Sequence, residues 1–561
     1  MKKSFYKKCL SILLSLAILM ALFVIPTAAI DGCDCGYLPV VYIGPLGCAT
    51  IYQDADTEDE QVVFRPDSET IKKLVGDLIP AVSLFAINKD YDKFGDSLID
   101  AILYTFGPLE MDDDGNSSER LTIKTELPTD PEHGPDRSYY FKYDFRIDPL
   151  ETAVKLNEFI HHVKDLTGHD KVLIRASSMG GIVAMAYIHL YGTQDIDACI
   201  FQCCPILGTD VGGELLTKQL NLNSDALVKY ASQALEEDFT GFLLNTLIVI
   251  LDSADVFDSL VSIGNDLIEN LVDKVYDEFL FPVLGKAPGL WGFVPDEYYE
   301  QAKSMALDEN VNSVLIDRID DYHYNVMCNA DKILNNAVED GVRIMILAGY
   351  NMQRTPLVVS YKNDSDATVD TKHVSAGATV ALLGETLADG YAQKVQCGHD
   401  HISEDGRIDA STCALPEHTW FVKDMLHCNI HDGFKGLYNW FFYSDEYVDV
   451  FSNDQYPQFL QNDKKNMTLI PMGSLGGIGN YDVNVVDMVN YETPTSPTEN
   501  SDNDSESTAA SAQQQPQKNE PIPQTGAQKS IQTNTIIMVV AILGFVLIFA
   551  FIIKRKSCLK E

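Results

Sequence analysis

The stretch KVLIRASSMGG, residues 171–181, decides the fold class of this 561-residue chain. An apolar, strand-like run comes first, two serines follow, and the glycine pair opens a second apolar run that continues to residue 191. A buried strand that passes through a sharp turn directly into a helix is the pattern of a nucleophile elbow. The alternative is a helix cap rich in serine and glycine, without a chemical role.

Only one of the two serines fits such a turn. The residues two before and two after a nucleophile must be small, because the turn brings their backbones together. Ser178 meets this condition with Ala176 and Gly180. Ser177 would place an arginine and a methionine at the crowded positions, so Ser178 is the predicted nucleophile.

Strand and helix patterns alternate on both sides of this turn. Short apolar runs predict strands over residues 39–43, 139–145, 171–176, 196–202 and 343–349. Apolar spacing predicts helices over residues 150–166, 181–191 and 434–443. Such alternation predicts the α/β class, with a mostly parallel, doubly wound sheet. Residues 211–336 have helical patterns without strands, and we expect a helical cap inserted over the carboxyl edge of the sheet.

Residues 140–181, YFKYDFRIDPLETAVKLNEFIHHVKDLTGHDKVLIRASSMGG, resemble the lecithin:cholesterol acyltransferase family of lipases and acyltransferases. The YDFR motif at residues 143–146 keeps all but the tryptophan of the family's Tyr-Asp-Trp-Arg stretch. The resemblance extends to residues 39–52 and to an Asp-Gly segment near residue 405. It implies an α/β-hydrolase fold and acyl-serine chemistry on carboxylic esters, without a cofactor.

The attack of a serine on an ester requires N–H donors for the developing oxyanion. The residue after the nucleophile supplies one of them, here the backbone of Met179. The second is expected from the loop IGPLG, residues 43–47, where the family has Pro then Gly and this chain has Gly44 then Pro45. Proline has no N–H, which leaves Leu46 as the predicted donor. A hydrophobic turn without a catalytic role is the alternative for this loop.

The acid and the base should follow the serine in that order along the chain. The resemblance places the acid before a glycine in an Asp-Gly turn, which selects Asp405, with Asp409 as the runner-up and Asp400 behind it.

The base should lie on a loop just before the last helix, where both His427 and His431 stand. We favour His427, because the sequence from His431 to Gly433 is typical of a helix cap. His418 is predicted to be a surface or packing residue.

No metal site is predicted. The candidate groups lack recognisable zinc or calcium spacing. They are Cys33-Asp34-Cys35, Cys203-Cys204, the set Cys397, His399, His401 and Asp405, and the acidic run at residues 112–115.

The two ends of the chain predict its location. Residues 1–29 have the order of a secretory signal peptide, and residues 30–490 are the expected hydrolase domain. Residues 491–534 predict a disordered stalk, residues 536–553 a transmembrane helix, and residues 554–561 a basic cytoplasmic tail. The motif IPQTG, residues 522–526, resembles the Gram-positive signal that a sortase cuts between Thr525 and Gly526. We therefore expect an extracellular protein that is joined to cell-wall peptidoglycan, or held in the membrane before or without that processing.

The net charge of −41 argues against a nucleic-acid partner, since phosphate contacts require clustered Lys and Arg. The sequence therefore predicts a serine hydrolase for lipid-like or other hydrophobic esters. An O-acyltransferase of lipid metabolism that uses the same intermediate is the second hypothesis, and a non-catalytic surface adhesin is the third.

Overall fold

The computed structural model describes residues 33, 35–64, 68–233, 256–444 and 447–473. The expected signal peptide, stalk, sorting motif, transmembrane helix and basic tail lie outside these residues. Within them, no helix has both the length and the apolar character required to cross a membrane.

The strands of the described residues form three sheets. In chain order they are β1 (Val40–Ile43), β2 (Ile51–Gln53), β3 (Gln61–Phe64), β4 (Leu121–Ile123), β5 (Tyr139–Phe141), β6 (Val172–Ser177), β7 (Ile196–Gln202), β8 (Arg343–Tyr350), β9 (Thr379–Val380), β10 (Ile408–Asp409), β11 (Thr419–Lys423), β12 (Phe459–Asp463) and β13 (Thr468–Pro471). The main sheet has eight strands in the order β13-β12-β11-β8-β7-β6-β1-β5. All neighbours in it are parallel except β12 and β13.

Helices of the described residues separate successive strands of the main sheet as far as β12. They are α1 (Ser68–Asn88), α2 (Tyr91–Phe106), α3 (Pro149–Thr167), α4 (Gly180–Tyr191), α5 (Asp210–Leu216), α6 (Ser224–Gln233), α7 (Val256–Val275), α8 (Pro288–Trp291), α9 (Asp296–Ala306), α10 (Ser313–Tyr322), α11 (Ala330–Glu339), α12 (Thr371–Val374) and α13 (Asp432–Tyr443). Two π-helical segments, Tyr276–Gly285 and His323–Met327, extend α7 and α10. Short 3₁₀ turns occupy Gly107–Leu109, Ala410–Thr412 and Pro416–His418.

The main sheet is covered on both faces, as an α/β fold requires. Successive side chains of a strand point to opposite faces, so Val172 and Ile174 of β6 belong to one core while Leu173 belongs to the other. Helices α3, α4 and α11 contribute apolar residues to the first core, and α13 contributes to the second. The central strands are nearly continuous apolar runs because both of their faces are buried.

The described part of residues 211–336, the expected cap, is mainly helical. It contacts residues that follow the carboxyl ends of the main-sheet strands. The backbone N–H of Gly289 donates to the carbonyl oxygen of Arg146, after β5, at 2.9 Å. Thr209, after β7, donates to the carbonyl oxygen of Phe293 at 2.9 Å. The helical segment therefore lies beside the sheet edge where ligands of α/β proteins bind.

The structure also corrects details of the sequence-based map. The predicted strand over residues 139–145 ends at Phe141, because the YDFR motif forms a turn. In that turn the buried guanidinium of Arg146 pairs with Asp144 at 2.6 Å and donates to the carbonyl oxygen of Leu109 at 3.1 Å. Helices α1 and α2, the small sheets β2–β3–β4 and β9–β10, and the main-sheet strands β11, β12 and β13 were not predicted.

Candidate active site

Ser178 stands on a sharp turn between β6 and α4. Its φ is 53°, in the left-handed region that residues other than glycine rarely adopt and that costs about 1–3 kcal/mol. Its backbone N–H donates to the carbonyl oxygen of Gln202 at 3.0 Å, which ties the turn to β7. A side chain at Gly180 would collide with the carbonyl oxygens of Ile43 and Gly44. The elbow therefore needs a glycine two residues after Ser178 because it is pressed against the end of β1.

The neighbouring Ser177 has a structural environment. It is fully buried, and its hydroxyl donates to the side-chain oxygen of Gln202 at 3.0 Å. The Ser177 hydroxyl is therefore hydrogen-bonded within the sheet, whereas the Ser178 hydroxyl faces His427.

Ser178, His427 and Asp366 form a continuous hydrogen-bonded chain. The Nε2 atom of His427 lies 2.9 Å from the hydroxyl oxygen of Ser178. Its Nδ1 atom lies 2.7 Å from a carboxylate oxygen of Asp366. Asp366 has no solvent exposure, and its other carboxylate oxygen accepts the backbone N–H groups of Thr368 at 2.9 Å and Val369 at 2.8 Å. The order of these contacts matches that of a nucleophile, a base and an orienting acid in a serine hydrolase triad.

Burial and charge act in opposite directions on His427. Burial of the imidazole alone lowers its pKa, but the charge and hydrogen bond of Asp366 outweigh that effect and raise the pKa well above its ordinary value of 6.5. Asp366 therefore stabilises the imidazolium that forms when His427 accepts the serine proton.

Cys203 lies against this triad without competing with it. Its thiol is within 4.8 Å of the ligand atoms of His427 and Asp366, and the residue is fully buried. Burial raises the pKa of the Cys203 thiol to about 12, so it stays protonated near neutral pH.

The structure corrects the predicted acid. Asp405 does not contact His427. It accepts from Ser403 at 2.8 Å and Tyr350 at 3.2 Å, and it pairs with Lys423 at 3.1 Å. The Asp-Gly turn thus pairs with a lysine at the end of β11, while the carboxylate beside His427 belongs to Asp366, on the loop that follows β8.

The two other predicted acids also lie in separate environments. Asp409 is buried and accepts from the hydroxyl of Tyr391 and the backbone N–H of Lys394, both at 2.9 Å. Asp400 is exposed and accepts the backbone N–H of Ile402 at 3.1 Å. Neither residue contacts His427.

The two other candidate histidines lie in separate environments. His431 is the N-cap of α13, where its Nδ1 atom accepts the backbone N–H of Gly433 at 3.1 Å and its Nε2 atom contacts Asn462 at 2.8 Å. His418 is buried and lies 3.2 Å from the hydroxyl of Tyr447. Neither ring contacts Ser178.

The two predicted oxyanion donors are available. Strands β1 and β6 are parallel neighbours with Ile43 opposite Ala176, so the loop after β1 lies beside the elbow. The hydroxyl of Tyr143 donates to the carbonyl oxygen of Gly44 at 2.8 Å and holds that loop. Among the described residues, no group accepts the backbone N–H of Leu46 or that of Met179.

A groove of about 1590 Å³ begins near the same loop, where Cys48, Tyr143 and Ile430 line it. It continues along residues 117–144. None of the three triad side chains lines this groove.

Two of the groups that were considered as metal ligands and rejected in the sequence lie in the following environments. Cys397, His399 and His401 place their ligand atoms within 4.8 Å of one another, and Asp405 is not in that group. Asp112 accepts the backbone N–H groups of Asp114 at 3.1 Å and Asn116 at 2.7 Å, which is an ordinary loop arrangement.

Comparisons with known proteins found a structural similarity and no sequence match. No family model matches the sequence, and no curated protein matches it. One solved structure, described as "The crystal structure of Tle4-Tli4 complex", is similar over 60% of this chain and 89% of its own, with 13% identity and a TM-score of 0.24.

Proposed function

We propose that this chain is a serine hydrolase of the α/β-hydrolase type that cleaves carboxylic esters through an acyl-Ser178 intermediate. The observation that carries the proposal is the hydrogen-bonded chain from Ser178 through His427 to Asp366, built on a turn with positive φ. A strained residue persists only where its surroundings enforce it, and such strain is concentrated at functional sites.

The proposed reaction has two steps. In the first, the Ser178 oxygen attacks the ester carbonyl while His427 takes its proton, and the backbone N–H groups of Leu46 and Met179 receive the oxyanion. His427 then gives the proton to the departing alkoxide, which leaves as an alcohol. In the second, His427 takes a proton from water as it attacks the acyl-serine, and returns it to Ser178 as the carboxylic acid leaves.

Apolar side chains pack against the loops that carry Asp366 and His427, and on this ground we propose an apolar acyl group for the substrate. Tyr230 of α6 forms a buried cluster with Met352 and Ala367, and Leu426 packs against it. Ala367 and Leu426 directly adjoin Asp366 and His427 in the sequence, so α6 packs on the segments that carry the acid and the base. An ester with an apolar acyl chain suits such a site better than a charged one.

Acyl transfer to an alcohol is the second candidate, because it would use the same acyl-serine and differ only in the acceptor. The non-catalytic adhesin is disfavoured, since adhesion gives no reason for a strained serine against a histidine–aspartate pair.

A series of p-nitrophenyl esters with increasing acyl length tests the proposal. The parent chain should release nitrophenol, prefer longer acyl groups and give an acyl adduct on Ser178 in quenched samples analysed by mass spectrometry. Added alcohols separate the two enzymatic candidates, because an acyltransferase forms the new ester in preference to the free acid. Absence of turnover and of the adduct across the series would exclude both.

The proposed location rests on the sequence alone. The order of a Thr525–Gly526 sorting motif, an apolar span and a basic tail supports covalent attachment to the cell wall. Muramidase should release a protein whose last residue is Thr525. Recovery of intact C-terminal peptides from the membrane fraction would instead identify a permanent membrane anchor.

A further inference from the structure

Four side chains with metal-binding atoms meet at the end of the main sheet opposite Ser178. Cys33 and Cys35 precede β1, His133 precedes β5, and His169 precedes β6. Ser178 follows the carboxyl end of β6, which spans about 20 Å at the rise of a β-strand. The cluster is therefore separate from the catalytic site.

The ligand atoms of the cluster are close together. The Sγ atom of Cys35 lies 3.1 Å from Nε2 of His133 and 3.7 Å from Nε2 of His169. The two Nε2 atoms are 2.9 Å apart. All four ligand atoms, including that of Cys33, lie within 4.8 Å of one another.

These separations fit one tetrahedral zinc ion. Zinc binds histidine nitrogen at about 2.0–2.1 Å and cysteine sulfur at about 2.3 Å, so tetrahedral geometry puts neighbouring ligand atoms about 3.3–3.8 Å apart. The Cys35–His169 distance of 3.7 Å lies inside that range, and the distances of 3.1 Å and 2.9 Å need to lengthen by only a few tenths of an ångström. Two cysteines and two histidines are also among the most frequent ligand sets of structural zinc sites.

Two further contacts orient the ligand atoms of the cluster for binding a cation. The Nδ1 atom of His133 lies 2.9 Å from the carbonyl oxygen of Pro131. A carbonyl only accepts, so the ring proton of His133 is on Nδ1, and the Nε2 lone pair faces Cys35 and His169. The backbone N–H of Cys33 donates to the carbonyl oxygen of Gly168 at 3.0 Å, which fixes the N-terminal segment beside His169.

We propose that Cys33, Cys35, His133 and His169 bind one structural Zn²⁺ ion. Binding would release the two thiol protons to solvent and leave a neutral site with two thiolates and two neutral imidazoles. With all four positions filled by protein, the ion has no open position for water or substrate, and its role is to join three segments at the amino ends of the strands.

Cys33 and Cys35 were expected to lack zinc partners, but in the folded chain His133 and His169 lie beside them. The pattern is not recognisable in the sequence because Cys35 and His133 are 98 residues apart, and His133 and His169 are 36 apart. The folded sheet, and no local spacing, brings the four ligands together.

A disulfide between Cys33 and Cys35 is the competing state, since an exported protein meets oxidising conditions. It would remove both thiolates and leave only the two histidines. The two states differ in metal content and in mass, so one experiment distinguishes them.

The test is zinc stoichiometry of the full-length chain, purified in detergent after growth with zinc and measured by inductively coupled plasma mass spectrometry. The parent chain should carry zinc, and Cys35→Ser and His133→Asn should each lose about one ion per chain relative to it. Co²⁺ loaded in place of Zn²⁺ should give the visible absorption of a tetrahedral thiolate site in the parent and not in these variants. A strong chelator should lower the Tm of the parent more than that of the variants.

His189→Asn is the matched control, because His189 lies on an exposed position of α4, outside the metal-ligand clusters of the described residues. This variant should keep the zinc content and the Co²⁺ spectrum of the parent. Unchanged zinc in both ligand variants would overturn the proposal. It would also be overturned by a metal-free parent whose intact mass shows Cys33 and Cys35 joined as a disulfide.

Discussion

His427 and Asp366 are joined by two hydrogen bonds. The backbone N–H of His427 donates to the carbonyl oxygen of Asp366 at 2.8 Å, and the imidazole Nδ1 lies 2.7 Å from the Asp366 carboxylate. The backbone bond fixes the loop that carries the base against the loop that carries the acid, and the side-chain bond then sets the orientation of the ring. The imidazole is thereby positioned against Ser178 before any substrate binds.

The first prediction concerns the identity of the acid. Asp366→Asn should lower kcat by about 10³- to 10⁴-fold, because the amide cannot hold the imidazole in the required tautomer or stabilise its charge. Asp405→Asn is the control and should stay within about tenfold of the parent, since Asp405 pairs with Lys423 instead. Steady-state ester hydrolysis measures both, and the opposite ranking would return the acid to Asp405.

The second prediction concerns pH. His427 must be neutral to accept the serine proton, and its pKa is raised by the Asp366 carboxylate against the opposing effect of burial. The acid limb of kcat/KM should therefore have its midpoint above 6.5, with activity increasing as pH rises through it. In Asp366→Asn the residual activity should have its midpoint at lower pH. A parent midpoint below that of the variant would refute this electrostatic assignment.

The same shift predicts the pH dependence of stability. A histidine whose pKa is raised in the folded state contributes stability that is fully present below its unfolded pKa, and that is lost as pH rises through the folded pKa. Urea unfolding of the parent and of His427→Gln should therefore show a stability difference that shrinks as pH rises through this window. A difference that grows with pH would contradict the direction assigned to His427.

The third prediction concerns the oxyanion. Leu46→Pro removes one backbone N–H and should lower kcat by about 10²- to 10³-fold. Leu46→Ala keeps the N–H and is the matched control, with a small effect on kcat. The Tm of each variant shows whether the loop still folds. Equal kcat values in two folded variants would exclude Leu46 as a donor.

The fourth prediction concerns stability. Arg146→Met should lower the free energy of unfolding by about 3–5 kcal/mol, because Asp144, almost fully buried beside it, would lose its charged partner. Lys155→Met breaks an exposed pair with Glu151 and should change it by less than about 1 kcal/mol. Urea denaturation of both variants measures these free energies. Similar decreases in the two variants would show that the buried ion pair contributes no more to stability than the exposed one.

The sequence predicted Ser178 and His427 as nucleophile and base because local rules govern both positions, and the structure brings the two side chains within 2.9 Å of each other. The small residues around Ser178 are visible in eleven residues, 171–181, and the helix-cap pattern of His431 leaves His427 as the free candidate. Strands β1, β6, β7 and β8 were also predicted, since a buried parallel strand is a continuous apolar run, whereas the central strand β11 was not.

Asp366, the proposed acid, was not singled out in the sequence, and the reason is physical. Residues 363–370, NDSDATVD, contain three aspartates on the loop after β8, and local spacing does not distinguish them. The fold assigns Asp364 to Arg407 at 2.8 Å and Asp370 to Arg354, which leaves Asp366 for His427. The position of Asp366 in the chain is the signal that could have found it. In this fold the acid is expected on the loop after a strand that comes before the strand leading to the base, and here those strands are β8 and β11. The short strands β2, β3, β9 and β10 have too few residues to show a period.

The central claim is that Ser178 is an activated nucleophile, and covalent labelling tests it most directly. A fluorophosphonate probe should modify the parent chain on one peptide, residues 171–181 or a longer fragment that contains them, with the adduct on Ser178. Ser178→Ala should abolish labelling, while Ser177→Ala, which removes a hydroxyl already bonded to Gln202, should keep most of it. Undiminished labelling of folded Ser178→Ala, or an adduct on any other residue, would contradict the account.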